Sequence, residues 1–171
     1  MPTSPSTQNY QYGAGALYIK RSVDIDYRHV GNVPTLSVAV DITEDEHKQS
    51  MSGLKSTDFT VITEIAKRLT AVLEEVTPEN MAMFVMGEFA TNSDGDEEAG
   101  GLTLTSIEAD MKYISDNARG REMEFWARVS IRPNGDFNFI TDGINSIPLL
   151  LTVLKQDGKF GRWIMKAEAS A

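Results

Sequence analysis

Residues 122–132 alternate between apolar and mostly polar side chains with a period of two. Successive side chains of a β-strand point to opposite faces of a sheet, whereas a helix repeats every 3.6 residues. This segment therefore predicts a strand with one buried face and one face that meets water or a partner. The predicted buried positions are Met123, Phe125, Ala127, Val129 and Ile131, and the opposite face carries Glu122, Glu124, Trp126, Arg128, Ser130 and Arg132.

Similar alternation at residues 15–21 and 35–42 predicts two further strands. Two dipeptides then predict tight turns. Asn134-Gly135 predicts a hairpin that returns through Phe137 and Phe139, and Asp157-Gly158 predicts a turn between strands at 148–154 and 160–167. The chain is therefore predicted to be mainly β.

Residues 59–76 carry two conflicting patterns. Apolar residues recur there at steps of three and four, as in an amphipathic helix, but Phe59, Val61, Thr63 and Ile65 also alternate as in a strand. The segment is rich in Val, Ile and Thr, whose branched side chains suit a pleated sheet and lose rotamer freedom in a helix. This composition favours two strands joined near Lys67.

One short helix is predicted at residues 78–86. Thr77 is a suitable N-cap, Pro78 suits the first helical position, and Gly87 is predicted to end the helix in a left-handed conformation. Its predicted buried stripe consists of Met81, Phe84 and Val85, with Met83 and Met86 flanking it.

Two polar segments are predicted to be loops. Residues 43–57 form a long stretch of mixed charge in which Met51 and Leu54 are the only large apolar residues, and a loop of this length is usually functional or disordered. Residues 92–101 form an acidic, glycine-bearing loop.

Length, composition and charge limit the possible functions. The 171 residues are enough for one domain, predicted at 13–171, preceded by a polar, flexible N-terminal arm at 1–12. A formal net charge of −9 argues against a protein that grips nucleic acid. The absence of cysteine excludes disulfides and thiolate metal sites, and no apolar run approaches the ~20 residues that span a bilayer, so no membrane insertion is predicted.

No motif predicts catalysis, a cofactor or a metal. His29 and His47 stand apart without a metal-ligand spacing. Asp94 and Asp96 resemble part of a calcium loop, but Glu97 stands where that loop needs glycine, which favours a solvated loop. We therefore expect no enzyme activity, no cofactor and no metal site.

Three segments, taken in order, resemble the major tail tube protein of long-tailed bacteriophages. They are GAGALYIKR at 13–21, GNVPTLSVAVDITEDEHKQSMSGLKSTD at 31–58, and EEVTPENMAMFVMGE at 74–88. The resemblance implies a β-sandwich or barrel with one flanking helix, and it implies strands throughout 59–76. It also implies six subunits joined in a ring, with rings stacked into a tube that conducts DNA into the host.

The same resemblance implies the partners and the location. The partners are further copies of the chain, other tail proteins such as the tape measure, tail tip and terminator, and DNA that passes through the lumen without specific binding. The location is the virion tail, and the host cytoplasm before assembly. The 43–57 loop is then predicted to be mobile in the free subunit and ordered between subunits, through Glu44, Asp45, Glu46, His47, Lys48, Met51, Leu54 and Lys55.

The residues support this interpretation independently, but they also leave a rival open. A chain without catalytic groups, with alternating strands and a long unassigned loop, is typical of a part completed by copies of itself. Its negative charge would let DNA slide without sticking. The rival is a monomeric β-sandwich module that binds a ligand through its long loops.

Overall fold

A computed structural model describes residues 13–49, 55–117 and 120–166; the predicted N-terminal arm lies outside these residues. The described elements, in chain order, are β1 (Gly15–Arg21), β2 (Arg28–His29), β3 (Thr35–Gln49), β4 (Ser56–Leu73), α1 (Pro78–Phe84), β5 (Phe89–Thr91), β6 (Glu97–Ala99), β7 (Ile107–Ser115), β8 (Met123–Pro133), β9 (Ile147–Val153) and β10 (Arg162–Met165). This confirms the prediction of a mainly β fold with one short helix.

One antiparallel sheet contains eight of the ten strands, in the order β2-β1-β7-β8-β9-β4-β3. β10 also joins it, because β9 and β10 share β8 as a partner: β9 pairs with Val129–Pro133 and β10 with Met123–Trp126. Strands β5 and β6 form a separate hairpin. The sheet does not close into a barrel, and its overall form is consistent with a β-sandwich.

The core lies against one face of this sheet. Nearly every second residue of β1, β7, β8 and β9 is buried, as a period of two requires. In β8 the predicted face is confirmed for Phe125, Ala127, Val129 and Ile131, while Met123 is only half-buried. Full burial of an aliphatic or phenylalanine side chain stabilises a fold by about 1.5–3 kcal/mol, so these positions supply much of the stability.

The outer face of β8 was predicted to meet water or a partner, and at Glu124 this is wrong because the same chain covers it. The side chain of Glu124 lies on the predicted outer face of β8 but is buried. The carboxylate accepts a hydrogen bond from the indole N–H of Trp126 at 2.7 Å and pairs with Lys166 Nζ at 2.8 Å. These two partners satisfy the charge, and they attach the end of β10 to β8.

The prediction of two strands joined near Lys67 is also wrong, because β4 is one continuous strand of 18 residues. It pairs with β3 throughout, and a β-bulge between Thr43 and Glu44 shifts the register so that Ile62 lies opposite Glu44. The bulge places Ile62 and Ile65 on one face although they are three residues apart. This explains the helix-like spacing in a segment that is a strand.

The helix begins as predicted but ends differently. Thr77 Oγ1 accepts a hydrogen bond from the backbone N–H of Asn80, and Pro78 is the first helical residue. The predicted left-handed end at Gly87 is wrong, because the left-handed residue is Met86, with φ of 51°. Gly87 instead lies against the backbone of Gly100, where a side chain has no space.

The predicted buried stripe of α1 needs correction. The fully buried helix residues are Asn80, Ala82 and Met83. Of the predicted stripe, Met81 and Phe84 are partly buried against the core, and Val85 is half-buried just after the helix. The side-chain amide of Asn80 donates hydrogen bonds to the backbone carbonyls of Val30 and Glu75, so Asn80 lies on the buried face of the helix.

One of the two predicted turns is confirmed. Asp157 and Gly158 both have positive φ, 49° and 78°, as this kind of tight turn requires. At Asn134-Gly135 only Gly135 has positive φ, and the predicted returning strand through Phe137 and Phe139 does not form. Phe137 instead packs partly against the core near Phe84, and β8 pairs with β9.

Candidate functional site

Strands β3 and β4 extend well beyond the rest of the sheet. β9 pairs with β4 only from Arg68 to Leu73, so residues 40–49 and 56–67 pair only with each other. We call these residues the protruding hairpin. At about 3.3 Å per residue, a strand of ten residues extends roughly 30 Å.

The prediction of a loop at residues 43–57 is therefore wrong for most of that segment. Glu44, Asp45, Glu46, His47 and Lys48 all lie in β3, and each pairs with a residue of β4. Lys55 is exposed just before β4, whereas Met51 and Leu54 lie outside the described residues. Backbone pairing with the β-branched start of β4 outweighs the polar composition that predicted a loop.

Five apolar side chains line one face of this hairpin and its base. Cross-strand pairing places Val38 opposite Leu69 and Ile42 opposite Ile65, so this face continues the core face of the sheet. Leu69 is buried, but the apolar side chains beyond it are 41–53% exposed. We call this set the apolar stripe; it consists of Val38, Val40, Ile42, Ile62 and Ile65.

The opposite face of the hairpin mixes aromatic and charged side chains. The rings of His47 and Phe59 stack with centroids 4.8 Å apart, and His47 Nδ1 lies 2.7 Å from Asp58 Oδ1. Nearer the base, Arg68 and Asp41 form an ion pair at 2.6 Å. These contacts hold the two strands in register without covering the apolar stripe.

The tip of the stripe face is polar. Thr57 Oγ1 donates to Glu46 at 3.2 Å, and Lys48 lies 3.7 Å from the same carboxylate. Of the predicted charged residues, Glu46 and Lys48 therefore lie at the end of the apolar stripe, as polar residues surround the apolar centre of many protein interfaces, whereas His47 lies on the opposite face.

The free edge of β3 adds a second binding element. Within the described residues, β3 pairs only with β4, so its other edge carries unpaired backbone N–H and C=O groups. Such an edge is a template for a strand of another chain. Edge and stripe together can add a further strand by backbone pairing and cover apolar side chains at the same time.

The residues considered for metal binding have other contacts. His29 Nδ1 accepts a hydrogen bond from the backbone N–H of Gly31, and the amide oxygen of Asn92 accepts from the N–H groups of Asp94 and Asp96. Across residues 13–49, 55–117 and 120–166, no three His, Asp or Glu side chains are grouped to hold a metal. No helix in the described part of the chain is long and apolar enough to cross a membrane.

The apolar stripe was not predicted as a site. The strand predicted at residues 35–42 ends before the charged segment, and its partner strand in residues 59–76 was not assigned to it. The available signal was the continued alternation of β-branched residues on both sides of the charged segment. Only the pairing of the two strands shows that this face has no cover within the described chain.

A comparison with protein families matches residues 10–110 to the family described as "Protein of unknown function UCP028589". The chain belongs to this family. The matched residues include β1, the protruding hairpin and α1. No curated protein matches the chain.

Proposed function

We propose that this chain is the subunit of a phage tail tube. Six copies join into a ring, and rings stack into the tube through which DNA passes into the host. The role is structural and needs no catalytic group. The proposal extends to the other tail proteins as partners, namely the tape measure, tail tip and terminator, and to assembly in the host cytoplasm before incorporation into the virion tail.

The apolar stripe is the observation that carries this proposal. It leaves five aliphatic side chains about half exposed on a face of β3 and β4 that the rest of the described chain does not bury. Covering apolar area stabilises an assembly by roughly 25 cal/mol for each Å² removed from water. A second copy is the simplest cover, because the β3 edge and the stripe together fit another sheet.

Charge and sequence support the same proposal. Every copy brings a formal net charge of −9, so a lumen made of such copies would repel the phosphates of DNA. The segments that resemble tail tube proteins contain β1, β3 and α1, and β3 carries the free edge and part of the apolar stripe.

Shortening the hairpin tests the proposal. Replacing residues 44–63 with Asn-Gly keeps the pairing of Thr43 with Glu64 and provides a tight turn. Because no core residue lies in the described part of the removed segment, the melting temperature should stay close to that of the parent, while ring and tube formation in electron micrographs should disappear. Normal tubes from the shortened chain would contradict the proposed role of the hairpin.

One observation favours the rival function, a monomeric binding module. An apolar groove of about 410 Å³ lies between the start of β1 and the start of β3, and Leu17, Leu36, Tyr113, Phe125 and Trp163 contribute to its lining. A small apolar ligand would fit a groove of this size. A chain that stays monomeric at millimolar concentration and binds such a ligand would support the rival.

A further inference from the structure

A second cleft, of about 420 Å³, lies on the outer face of β7 and β8, beside the turn that joins β9 to β10. Tyr27 and Trp126 line it and meet edge to face, with ring centroids 5.7 Å apart. Its charged lining residues are Asp110, Arg128, Asp157, Lys159 and Arg162.

Some of the cationic side chains that line this cleft form no ion pair within the described chain. Arg128 pairs with Glu108 at 2.9 Å and with Asp110 at 3.6 Å. Lys159 and Arg162 form no ion pair with any described residue, and Lys155 adds a third unpaired cation to the same turn. Lys67 Nζ donates to the carbonyl of Phe160 at 2.9 Å, which holds the turn in place.

The β5–β6 hairpin carries the opposite charge. Its exposed carboxylates are Asp94, Asp96, Glu97 and Glu98, and no described cation pairs with them. The hairpin is held firmly: the N–H groups of residues 94 and 96 donate to Asn92 Oδ1, and the N–H of Gly100 donates to the carbonyl of Glu88. Four like charges on one short turn repel each other unless cations approach.

We infer that the cleft beside the β9–β10 turn receives the acidic β5–β6 hairpin of a second copy of this chain. Glu97 and Glu98 of one copy meet Lys159 and Arg162 of the next. Tyr27 and Trp126 form the aromatic centre of the contact, as aromatic residues do in many interfaces. This inference rests on the proposed self-assembly and names one contact that would hold it together.

Two features support the match. The Tyr27 phenol, whose pKa burial and the nearby Asp110 raise above its usual 10.0, is protonated at neutral pH like any tyrosine and can donate a hydrogen bond to an incoming carboxylate. The hairpin and the cleft are different surfaces, so each copy offers one of each. Contacts of this head-to-tail kind either close into rings or continue as filaments.

Charge reversal provides the test, with assembly followed by sedimentation velocity and electron microscopy. Reversing the hairpin (E97K with E98K) or the cleft (K159E with R162E) should raise the concentration needed for half-assembly about tenfold or more. A mixture of equal amounts of the two variants should restore assembly, because each reversed surface then finds its complement. A single chain with all four changes should also assemble. Circular dichroism and melting curves check that each variant is folded.

Matched variants control for net charge. D136K with D142K changes the charge as much as the hairpin reversal does, and K20E with R132E changes it as much as the cleft reversal does; none of these four residues lines the cleft or lies in the acidic hairpin. Both should assemble like the parent. If the parent assembles and either reversal has no effect, or the mixture fails to recover, the inference is wrong while the proposed function stands. If the parent never assembles, both are wrong.

Discussion

Ile42 and Ile65 are direct cross-strand partners on the protruding hairpin, and both side chains remain about half exposed, at 52% and 42%. Closer to the sheet, Leu69 on the same face of β4 is only 3% exposed. The core face of the sheet thus continues into solvent as a mainly apolar face, which Lys67 interrupts between Leu69 and Ile65. A face of this kind is typical of an interaction surface.

Polar substitutions on this face should separate folding from assembly. Ile42→Thr combined with Ile65→Thr keeps the branched side chains that suit a strand but removes apolar contact area. The melting temperature should change little, because neither residue is in the core, while the concentration for half-assembly should rise about tenfold. Val61→Thr, on the opposite face, is the control. Unchanged assembly of the double variant would show that the stripe is not a contact.

The packing of helix α1 against the core should contribute more stability through Met83 than through Phe84. Met83 is completely buried, so Met83→Ala should lower the free energy of unfolding by about 2–5 kcal/mol. Phe84 is only partly buried, beside Phe137, so Phe84→Ala should cost less, about 1–2 kcal/mol. Urea denaturation of both variants measures the two losses in free energy of unfolding. A larger loss for Phe84→Ala than for Met83→Ala would contradict the described docking of α1.

Gly87→Ala should destabilise the fold by a steric clash. Gly87 does not have a positive φ, so the substitution causes no backbone strain. A side-chain carbon built on Gly87 lies 1.3 Å from the carbonyl oxygen of Gly100, so the β5–β6 hairpin would have to move away from α1. Such overpacking costs about 1–3 kcal/mol. Gly143→Ala, where a side chain meets nothing within 4 Å, is the matched control and should be neutral in thermal unfolding. Equal stability of both variants would contradict this close approach.

The Glu124–Lys166 pair should make stability depend on pH in the acid range. Hydrogen bonds from Lys166 and Trp126 lower the pKa of Glu124 below its usual 4.5, and the same pair raises the pKa of Lys166 above its usual 10.5. The ionised carboxylate therefore stabilises the fold above pH 4.5, and this contribution is lost as the pH falls through the lowered pKa. The contribution of Lys166 is lost only as the pH rises above 10.5.

Glu124→Gln checks this dependence. The variant should unfold more easily than the parent at neutral pH, and the difference in free energy of unfolding should shrink as the pH falls below 4.5. Glu122→Gln, an exposed neighbour on the chain, is the control. A difference that stays constant down to strongly acid pH would show that the pair does not form.

Local sequence patterns predicted the features that depend on adjacent residues or on a regular repeat. The alternation of residues 122–132, the cap at Thr77 and the turn at Asp157-Gly158 were confirmed because each depends on a few consecutive residues. Contacts between residues that are distant in sequence determined the other features. The charged segment after residue 43 is a strand because the start of β4 pairs with it, and Glu124 is buried because Lys166 and Trp126 satisfy it.

The candidate site was predicted only in part. The interface role of the charged residues at 44–48 stays a prediction; the structure places Glu44 and Glu46 on the face of the apolar stripe, and the stripe itself was not predicted as a site. A sequence pattern shows that one face of a strand is apolar. Whether the same chain covers that face depends on how far β9 extends along β4, and no local pattern records this.

Self-assembly of the purified chain is the most direct test of the proposed function. Sedimentation velocity and negative-stain electron microscopy should follow the unmodified protein from micromolar to millimolar concentration. The account predicts six-fold rings that stack into tubes as the concentration rises. A chain that remains monomeric throughout this range, with no rings or tubes in the micrographs, would contradict it.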